Sequence, residues 1–449
     1  MSGRVPDSHP LRLTVIGLGP VGLTTAAAFA RWGHDVIGVD VDPRRIDGLE
    51  QGDVAFHEPG LPELVAEGVA GGRLKFTTDT RQALDVADVA FICVGTPSRA
   101  DGSPDLSFVE RVGQAAAHHA NGSLLLVEKS TVPAATGNRL ERVIDLEQAG
   151  MTQHARVEVA SNPEFLREGS AVRDTLEPDR VVLGVPSVWA GDLLTRVYEP
   201  VIATTGCPVV RTDRTTAELI KHASNAFLAT RLSFVNAVAQ ICDRVGADIE
   251  TVARGMGHDA RIGHAFLRAG IGYGGSCFPK DVDAFAHLAA SVGAPFGLLE
   301  EVRAINLAQR QHVIDLLTDE LWHLDGKRIA VLGAAFKPDT DDLRESPGMW
   351  IAARLLEAGA EVRLSDPVAL PGAKDQLPQI VACEDPLDAC AEAHAVVLCT
   401  EWPQFVEIDA SKLVASLNWS VVIDGRNVWD RTALEQAGAR YHGIGRGRG

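Results

Sequence analysis

Regular patterning starts with Leu11-Arg-Leu-Thr-Val-Ile16, which runs into Gly17-Leu-Gly19-Pro-Val-Gly22 and then an alanine-rich stretch ending at Arg31. A second apolar run, Asp35-Val-Ile-Gly-Val39, closes at Asp40, 23 residues after Gly17. The order predicts strand, glycine turn, helix, strand. Three more apolar runs predict buried strands. Val89–Val94 closes with Gly95-Thr96-Pro97, and Ser123–Val127 ends in Glu128-Lys129-Ser130-Thr131-Val132-Pro133. Val157–Ala160 ends in Ser161-Asn162-Pro163-Glu164-Phe165-Leu166. Strands alternating with helices predict a parallel, doubly wound sheet. Ligands of such sheets sit beyond the carboxyl ends of the strands, where Thr96, Thr131 and Glu164 fall.

From about Arg214 to Ala308 the pattern reads as helical throughout. Glu218 to Val245 contains neither Pro nor Gly and carries Leu228, Leu232, Val235, Ala239, Cys242 and Val245 at helical spacing, which predicts one long helix linking two lobes. A second sheet is predicted from Arg328-Ile-Ala-Val-Leu-Gly333, a helix around Trp350–Ala358, the strand Glu361–Ser365 ending at Asp366, and Ala393-His-Ala-Val-Val-Leu-Cys399. The order echoes the first sheet. The second copy has Gly-Ala-Ala-Phe where the first has the Gly17–Gly22 turn, so its ligand should differ from a dinucleotide pyrophosphate. The expected fold is α/β: two doubly wound, Rossmann-like parallel-sheet domains (1–210 and 311–449) joined by a helical central domain (211–310), with a flexible Gly/Arg tail at Gly445–Gly449.

Composition narrows the function. The 449 residues are 46% hydrophobic and 23% charged, a globular balance that suggests about three domains. The formal charge of −18 disfavours nucleic acid and membrane surfaces as partners. Met1 to Pro10 is polar and reads as carrying no secretory signal, and no apolar run approaches a membrane span. The seven cysteines are scattered without a CxxC pair, which reads as reduced thiols in a cytoplasmic protein. No histidine spacing suggests a metal.

Gly17-x-Gly19-x-x-Gly22, between a predicted strand and helix, points to a dinucleotide. Gly17 allows the tight turn, Gly19 close approach of the pyrophosphate, and Gly22 close packing of helix on strand. Asp40 should accept from the adenosine ribose and favour NAD over NADP. Arg44 and Arg45 nearby weaken that exclusion, and Arg45 can equally be read as a solvated helix residue. Gly274-Gly275-Ser276-Cys277-Phe278-Pro279-Lys280-Asp281 follows a loop already rich in glycine (Gly270, Gly272) and sets Cys277 just before a predicted helix N-terminus, where a thiolate is stabilised. A nucleophile and a buried small hydrophobe are both open there. Lys221 and Asn225 lie four apart on the long helix and share a face: either a solvated face or an oxyanion-stabilising pair. Lys337 and Arg426 follow strands of the second sheet, as phosphate ligands or as surface charges.

Together these motifs resemble the UDP-glucose/GDP-mannose dehydrogenase family. The resemblance rests on Gly17–Gly22, Glu58-Pro59-Gly60-Leu61, Gly95-Thr96-Pro97, Glu128–Pro133, Asn162–Leu166, Arg261-Ile262-Gly263, Gly274–Asp281, Phe336-Lys337 through Arg344-Glu345-Ser346, and Asp424-Gly425-Arg426, in family order over about residues 12 to 430. The Gly-Gly-Ser-Cys-Phe-Pro-Lys-Asp form is most like the branch that oxidises UDP-glucose at C6; relatives acting on GDP-mannose or UDP-N-acetylhexosamines share much of the rest. His57 departs from the aromatic residue that relatives often carry before Glu58.

The resemblance implies a four-electron oxidation of UDP-glucose to UDP-glucuronate with two NAD, through a Cys277 thiohemiacetal and thioester. By family position, Lys221 and Asn225 stabilise oxyanions, Asp281 and Thr131 order a water, and Glu164 is a base. Val21, Thr96, Thr131, Glu168 and Lys280 join Gly17, Gly19, Gly22, Asp40 and Arg45 around NAD. Glu164, Phe165, Leu166, Lys221, Asn225, Arg261, Gly274, Lys337 and Arg426 line the sugar-nucleotide site, with Arg261 reaching in from a neighbouring subunit of a homodimer, or higher homo-oligomer, built on the long helix. A catalytically silent NAD- and sugar-nucleotide-binding regulator is the reading from a different class; it would lack Cys277, Lys221 or Asp281, and all three are present.

Overall fold

The computed structural model describes residues 10–447 except 98, 100–102 and 153. The chain divides into two compact units, Met1–Ser224 and Asn225–Gly449. The first unit holds strands β1 (Arg12–Ile16), β2 (Asp35–Val39), β3 (Leu74–Thr77), β4 (Val89–Ile92), β5 (Ser123–Glu128), β6 (Arg156–Ser161), β7 (Val181–Gly184) and β8 (Val209–Thr212). They form one sheet of order β3-β2-β1-β4-β5-β6-β7-β8. Its neighbours run parallel except β6 and β7, which meet antiparallel at Ser161 and Gly184. Helices cover both faces, which is why β4 and Leu124–Val127 of β5 are fully buried and read as unbroken apolar runs.

The second unit holds β9 (Arg328–Leu332), β10 (Glu361–Ser365), β11 (Val381–Ala382), β12 (Ala395–Leu398), β13 (Val421–Asp424) and β14 (Arg440–Gly443), all parallel, in the order β11-β10-β9-β12-β13-β14. Counted within each unit, the first six strands of both sheets follow the same 3-2-1-4-5-6 order of a dinucleotide-binding fold. The echo in the sequence is therefore an echo in topology.

The long helix spans Arg214–Val245, starting four residues before the expected stretch Glu218–Val245. The expectation of helix throughout to Ala308 is corrected: Ile249–Gly257, Phe278–Ser291 and Gly297–Leu321 are helical, but 258–277 is a loop. Gly263, Gly272 and Gly275 take positive φ there (70°, 97° and 84°), a conformation that no helix accommodates. Of the expected flexible tail, Gly445 is tied down: its N–H donates to Asp243 at 3.1 Å and its carbonyl accepts from Ile249 N at 2.8 Å. Arg446 pairs with Asp248 at 3.0 Å. Residues 448–449, and the polar stretch 1–9, lie outside the described residues. Among the described residues no helix is long and apolar enough to cross a membrane.

Candidate active site

In the first unit the chain turns from β1 into the helix Pro20–Arg31 at Gly17, whose φ is +95°. A Cβ on Gly17 would lie 2.7 Å from Cys93 O, and one on Gly22 would lie 1.8 Å from Gly17 O. Both glycines are thus demanded by the fold itself. Gly19 is not: a Cβ there would meet nothing within 4 Å. It is the N-cap of the helix, no side chain caps it, and the positive end of the helix dipole is left for an anion. Val21 lies beside it, half-buried in the first turn. Asp40 is 8% exposed and accepts from Leu18 N at 2.9 Å and Asp42 N at 3.0 Å. Arg45 donates to the same carboxylate at 2.9 Å, and Arg44 pairs with Asp42 at 3.2 Å. Neither arginine is the unpaired cation that a 2′-phosphate would need, and Arg45 is more than a solvated helix residue. The turn fits a dinucleotide pyrophosphate and a ribose with free hydroxyls.

The second sheet repeats the turn with another outcome. Asp366, at the position after β10 that Asp40 takes after β2, accepts from Ala334 N, Ala335 N, Val368 N, Ala369 N and the Trp402 indole. Its carboxylate is consumed by the chain, and no ribose acceptor remains.

Beyond β6, Glu164 is buried and held from two sides: Lys221 Nζ donates to Oε1 at 3.1 Å and Leu166 N to Oε2 at 2.6 Å. The Phe165 ring carries the Arg180 guanidinium at 3.6 Å and the Lys221 ammonium at 5.4 Å. Glu164, Phe165 and Leu166 line a cavity of about 250 Å³ together with Lys129 and Arg180. Lys221 is 3% exposed, so the solvated-face reading fails. Thr96 Oγ1 donates to Thr131 O at 3.0 Å, which joins the ends of β4 and β5. Glu168 is half-buried just downstream. The Glu58 motif, to which the sequence assigned no task, clamps this segment: its carboxylate accepts from Gly169 N at 2.7 Å and Ala171 N at 2.8 Å. The neighbouring His57 is exposed.

In the second unit Cys277 is the N-cap residue of the helix Phe278–Ser291, with Pro279 in its first turn. It is half-buried with Ser276 Oγ 3.5 Å from its sulfur, whereas the other six cysteines are buried. Burial pushes the thiols of Cys93, Cys390 and Cys399 up to about 12, which leaves them inert. One turn on from Cys277, Asp281 accepts from Asn225 Nδ2 at 2.6 Å and pairs with Lys280 at 3.2 Å. Asn225 and Asp281 are both buried.

The loop before Cys277 is held by polar groups the sequence reading missed. Asn306 Oδ1 accepts from Tyr273 N at 2.8 Å, Gln309 Nε2 donates to Gly270 O at 2.9 Å, and Asn236 Oδ1 accepts from Gly270 N at 2.9 Å. Their one sequence signal is polarity on otherwise buried helix faces. Gly274 sits so close that a Cβ would lie 2.3 Å from Glu345 O. Arg426, after β13, donates to Cys399 O at 2.6 Å and to Phe336 O at 3.0 Å, which sets it beside Lys337 after β9. Ile271 N donates to Gly425 O at 3.1 Å, so the glycine loop and the Arg426 turn are pinned together. Arg261 is not brought into this group: its side chain is exposed and paired with Asp259 at 2.6 Å.

A glycine turn shaped for a dinucleotide, a second sheet of the same order whose turn refuses one, and a half-exposed thiol at a helix N-terminus define a dinucleotide-dependent oxidoreductase of two-sheet build. The comparisons narrow the class. Residues 11–202 match the NAD binding domain of the UDP-glucose/GDP-mannose dehydrogenase family, 215–308 its central domain and 330–431 its UDP binding domain. The chain belongs to this family. It is 42% identical over 436 residues to the UDP-glucose 6-dehydrogenase TuaD of Bacillus subtilis, covering 97% of this chain and 93% of that one. It is 43% identical to the UDP-glucose 6-dehydrogenase of Rhizobium meliloti, covering 97% and 100%. A UDP-glucose dehydrogenase structure from Pyrobaculum islandicum superposes with a TM-score of 0.90 at 38% identity, covering 99% and 100%. A UDP-D-ManNAc dehydrogenase from Pyrococcus horikoshii gives 0.85 at 28% identity, covering 97% and 99%.

Proposed function

We propose that the chain is an NAD-dependent UDP-glucose 6-dehydrogenase that makes UDP-glucuronate. The observation that carries the reading is Cys277: one thiol of seven is half-exposed, at a helix N-terminus, within one helical turn of a buried Asp281–Asn225 pair. The relatives named for UDP-glucose, at 42% and 43% identity over nearly full length, supply the sugar nucleotide.

NAD is held by Gly17, Gly19, Val21, Gly22 and Asp40, with Arg45, Thr96, Thr131, Glu168 and Lys280 around it. When bound, it takes up a hydride in each of the two oxidations. Lys337 and Arg426 hold the diphosphate; Phe165, Leu166, Gly274 and Arg261 line the sugar-nucleotide site. After the first oxidation the sugar C6 is an aldehyde. The Cys277 thiolate adds to it, forming a C–S bond, and the oxygen takes a proton to give a thiohemiacetal. Loss of the second hydride from C6 and of the hydroxyl proton gives a thioester. Water, deprotonated by Glu164 and ordered by Asp281 and Thr131, breaks the C–S bond and leaves a carboxylate and the free thiol. Lys221 and Asn225 donate to the oxygen on C6 as charge develops there.

The working division is three domains: 1–210 for NAD, 211–310 for the cysteine loop and subunit contact, and 311–449 for the UDP-sugar. The protein acts in the cytoplasm, on a small molecule and not on nucleic acid. It works as a homodimer: Phe227, Phe234 and Ile241 are 63%, 52% and 58% exposed at seven-residue intervals along the long helix, an apolar stripe suited to a second copy. The test is NADH released per sugar nucleotide across UDP-glucose, GDP-mannose and UDP-N-acetylhexosamines. Two NADH per UDP-glucose, with the highest kcat/KM of the panel, supports the reading; a preference for another sugar nucleotide overturns the substrate.

A further inference from the structure

Glu128 closes β5 with its side chain 1% exposed, and neither carboxyl oxygen accepts a hydrogen bond from any N–H or hydroxyl among the described residues. A bare carboxylate so buried is costly; the group neutralises instead. A neutral carboxyl, however, brings an O–H that needs an acceptor. The neighbour is Glu218 of the long helix, itself buried. A Cβ on Gly137 would lie 2.9 Å from Glu128 Oε2 and 3.2 Å from Glu218 Oε1, so both carboxyls converge on that glycine. Both Glu218 oxygens already accept backbone hydrogen bonds, from Ala135 N at 2.5 Å and Gly137 N at 2.8 Å. In this way Glu218 caps the helix Thr136–Gln148, whose N-cap residue Ala135 has no side-chain cap of its own.

We infer that Glu128 and Glu218 share one proton, held on Glu128, and that this acid–carboxylate pair is a positioning element for Thr131 and Lys221. Glu128 lies three residues before Thr131 and Glu218 three before Lys221, so the shared proton ties the two catalytic segments to each other. The inference rests on the roles proposed above for those two residues. Burial and the Glu218 charge hold the Glu128 carboxyl well above the usual carboxylate range. Burial raises Glu218 too, but its two backbone donors draw it back. The other groups facing the pair are few. Arg214 pairs with Glu141 at 2.6 Å and also donates to Val159 O, and His222 turns its ring to Val132 O at 2.8 Å.

The sign follows from the raised value. The folded state keeps a proton that the unfolded chain gives up near the ordinary carboxylate pKa. The pair's contribution is complete below that pKa and is lost as pH climbs toward the folded value, by up to about tenfold in the unfolding constant per pH unit. Glu128→Gln keeps the donor at every pH, whereas Glu128→Ala removes it. The full-length protein and both variants would be followed by three readouts. These are the infrared C=O stretch of a protonated carboxyl at neutral pH, the denaturation midpoint against pH, and kcat and KM for UDP-glucose against pH. The expected result is a carboxyl band present in wild type and missing in Glu128→Gln. That variant should keep near-normal kcat, with its midpoint and kcat losing less at alkaline pH than the wild type's, while Glu128→Ala loses kcat with KM for NAD little changed. An unchanged carboxyl band, identical pH slopes in wild type and Glu128→Gln, or equal impairment of both variants would overturn the inference. The infrared and midpoint readouts judge the proton even if UDP-glucose proves to be the wrong substrate.

Discussion

Cys277 is set apart from the other cysteines by position and exposure. Six thiols are packed away, three of them pushed up to about 12 by burial, while Cys277 stands at the positive end of the helix Phe278–Ser291. Replacing it with Ala should remove covalent catalysis and leave both nucleotide sites intact. Turnover should fall by several orders of magnitude, while equilibrium binding of NAD and UDP-glucose changes little. In wild type, limited alkylation should label Cys277 first, with protection by bound UDP-glucose, as read by peptide mass mapping. A Cys277→Ala enzyme that still delivers two NADH per sugar would instead favour oxidation of the aldehyde hydrate. The residues around the thiol divide by how visible they were. Gly274–Asp281 was legible because glycines, a cysteine and a helix-starting proline stand together in the chain. Asn236, Asn306 and Gln309 were not, because each meets its partner across 33 residues or more and nothing local to them states that pairing.

At the scale of elements, periodicity carried most of the fold. Buried parallel strands announce themselves as unbroken Val, Ile and Leu runs, and the Pro- and Gly-free core of the long helix is read at once. The loop 258–277 was legible only at its end, where Gly270 and Gly272 lead into Gly274; its start was covered by extending the flanking helical periodicity, although Gly263 there takes a positive φ. The same distinction separates two glycines of the first turn. Gly22 touches Gly17 O where a Cβ would be, so Gly22→Ala should force helix and strand apart, at a cost of about 1–3 kcal/mol, the usual range for overpacking. Gly19 has open space at its Cβ position, so Gly19→Ala should fold with nearly wild-type stability and still lose NAD affinity. Denaturant midpoints and NAD titrations of both variants check this. Equal destabilisation by the two would mean that Gly19 is a packing glycine as well, and the case for pyrophosphate approach at that position would weaken.

For the whole molecule, the question is what covers the long helix. Of the apolar positions at helical spacing, Val235, Ala239 and Cys242 are buried and Leu228 and Leu232 half-buried, but Val245 is exposed, and the outward stripe of Phe227, Phe234 and Ile241 has the same hydrophobic signature. A helix apolar on more than one face must bury more than one face. The formal charge of −18 argues against a polyanionic partner, and a second copy offers the same stripe back, as a two-fold interface requires. Phe234, 52% exposed at the middle of the stripe, is the place to break it. A glutamate there would have to lose its hydration against another apolar helix, while in a monomer it would simply face water. Phe234→Glu should therefore leave the fold and NAD binding intact and shift the protein from dimer to monomer in light scattering behind a sizing column. If Arg261 serves the neighbouring subunit's site, the monomer should also show a raised KM for UDP-glucose. Its exposed side chain then has nothing to reach. An unchanged mass for Phe234→Glu would move the subunit contact off this helix, and a monomer with unaltered KM would return Arg261 to its own surface.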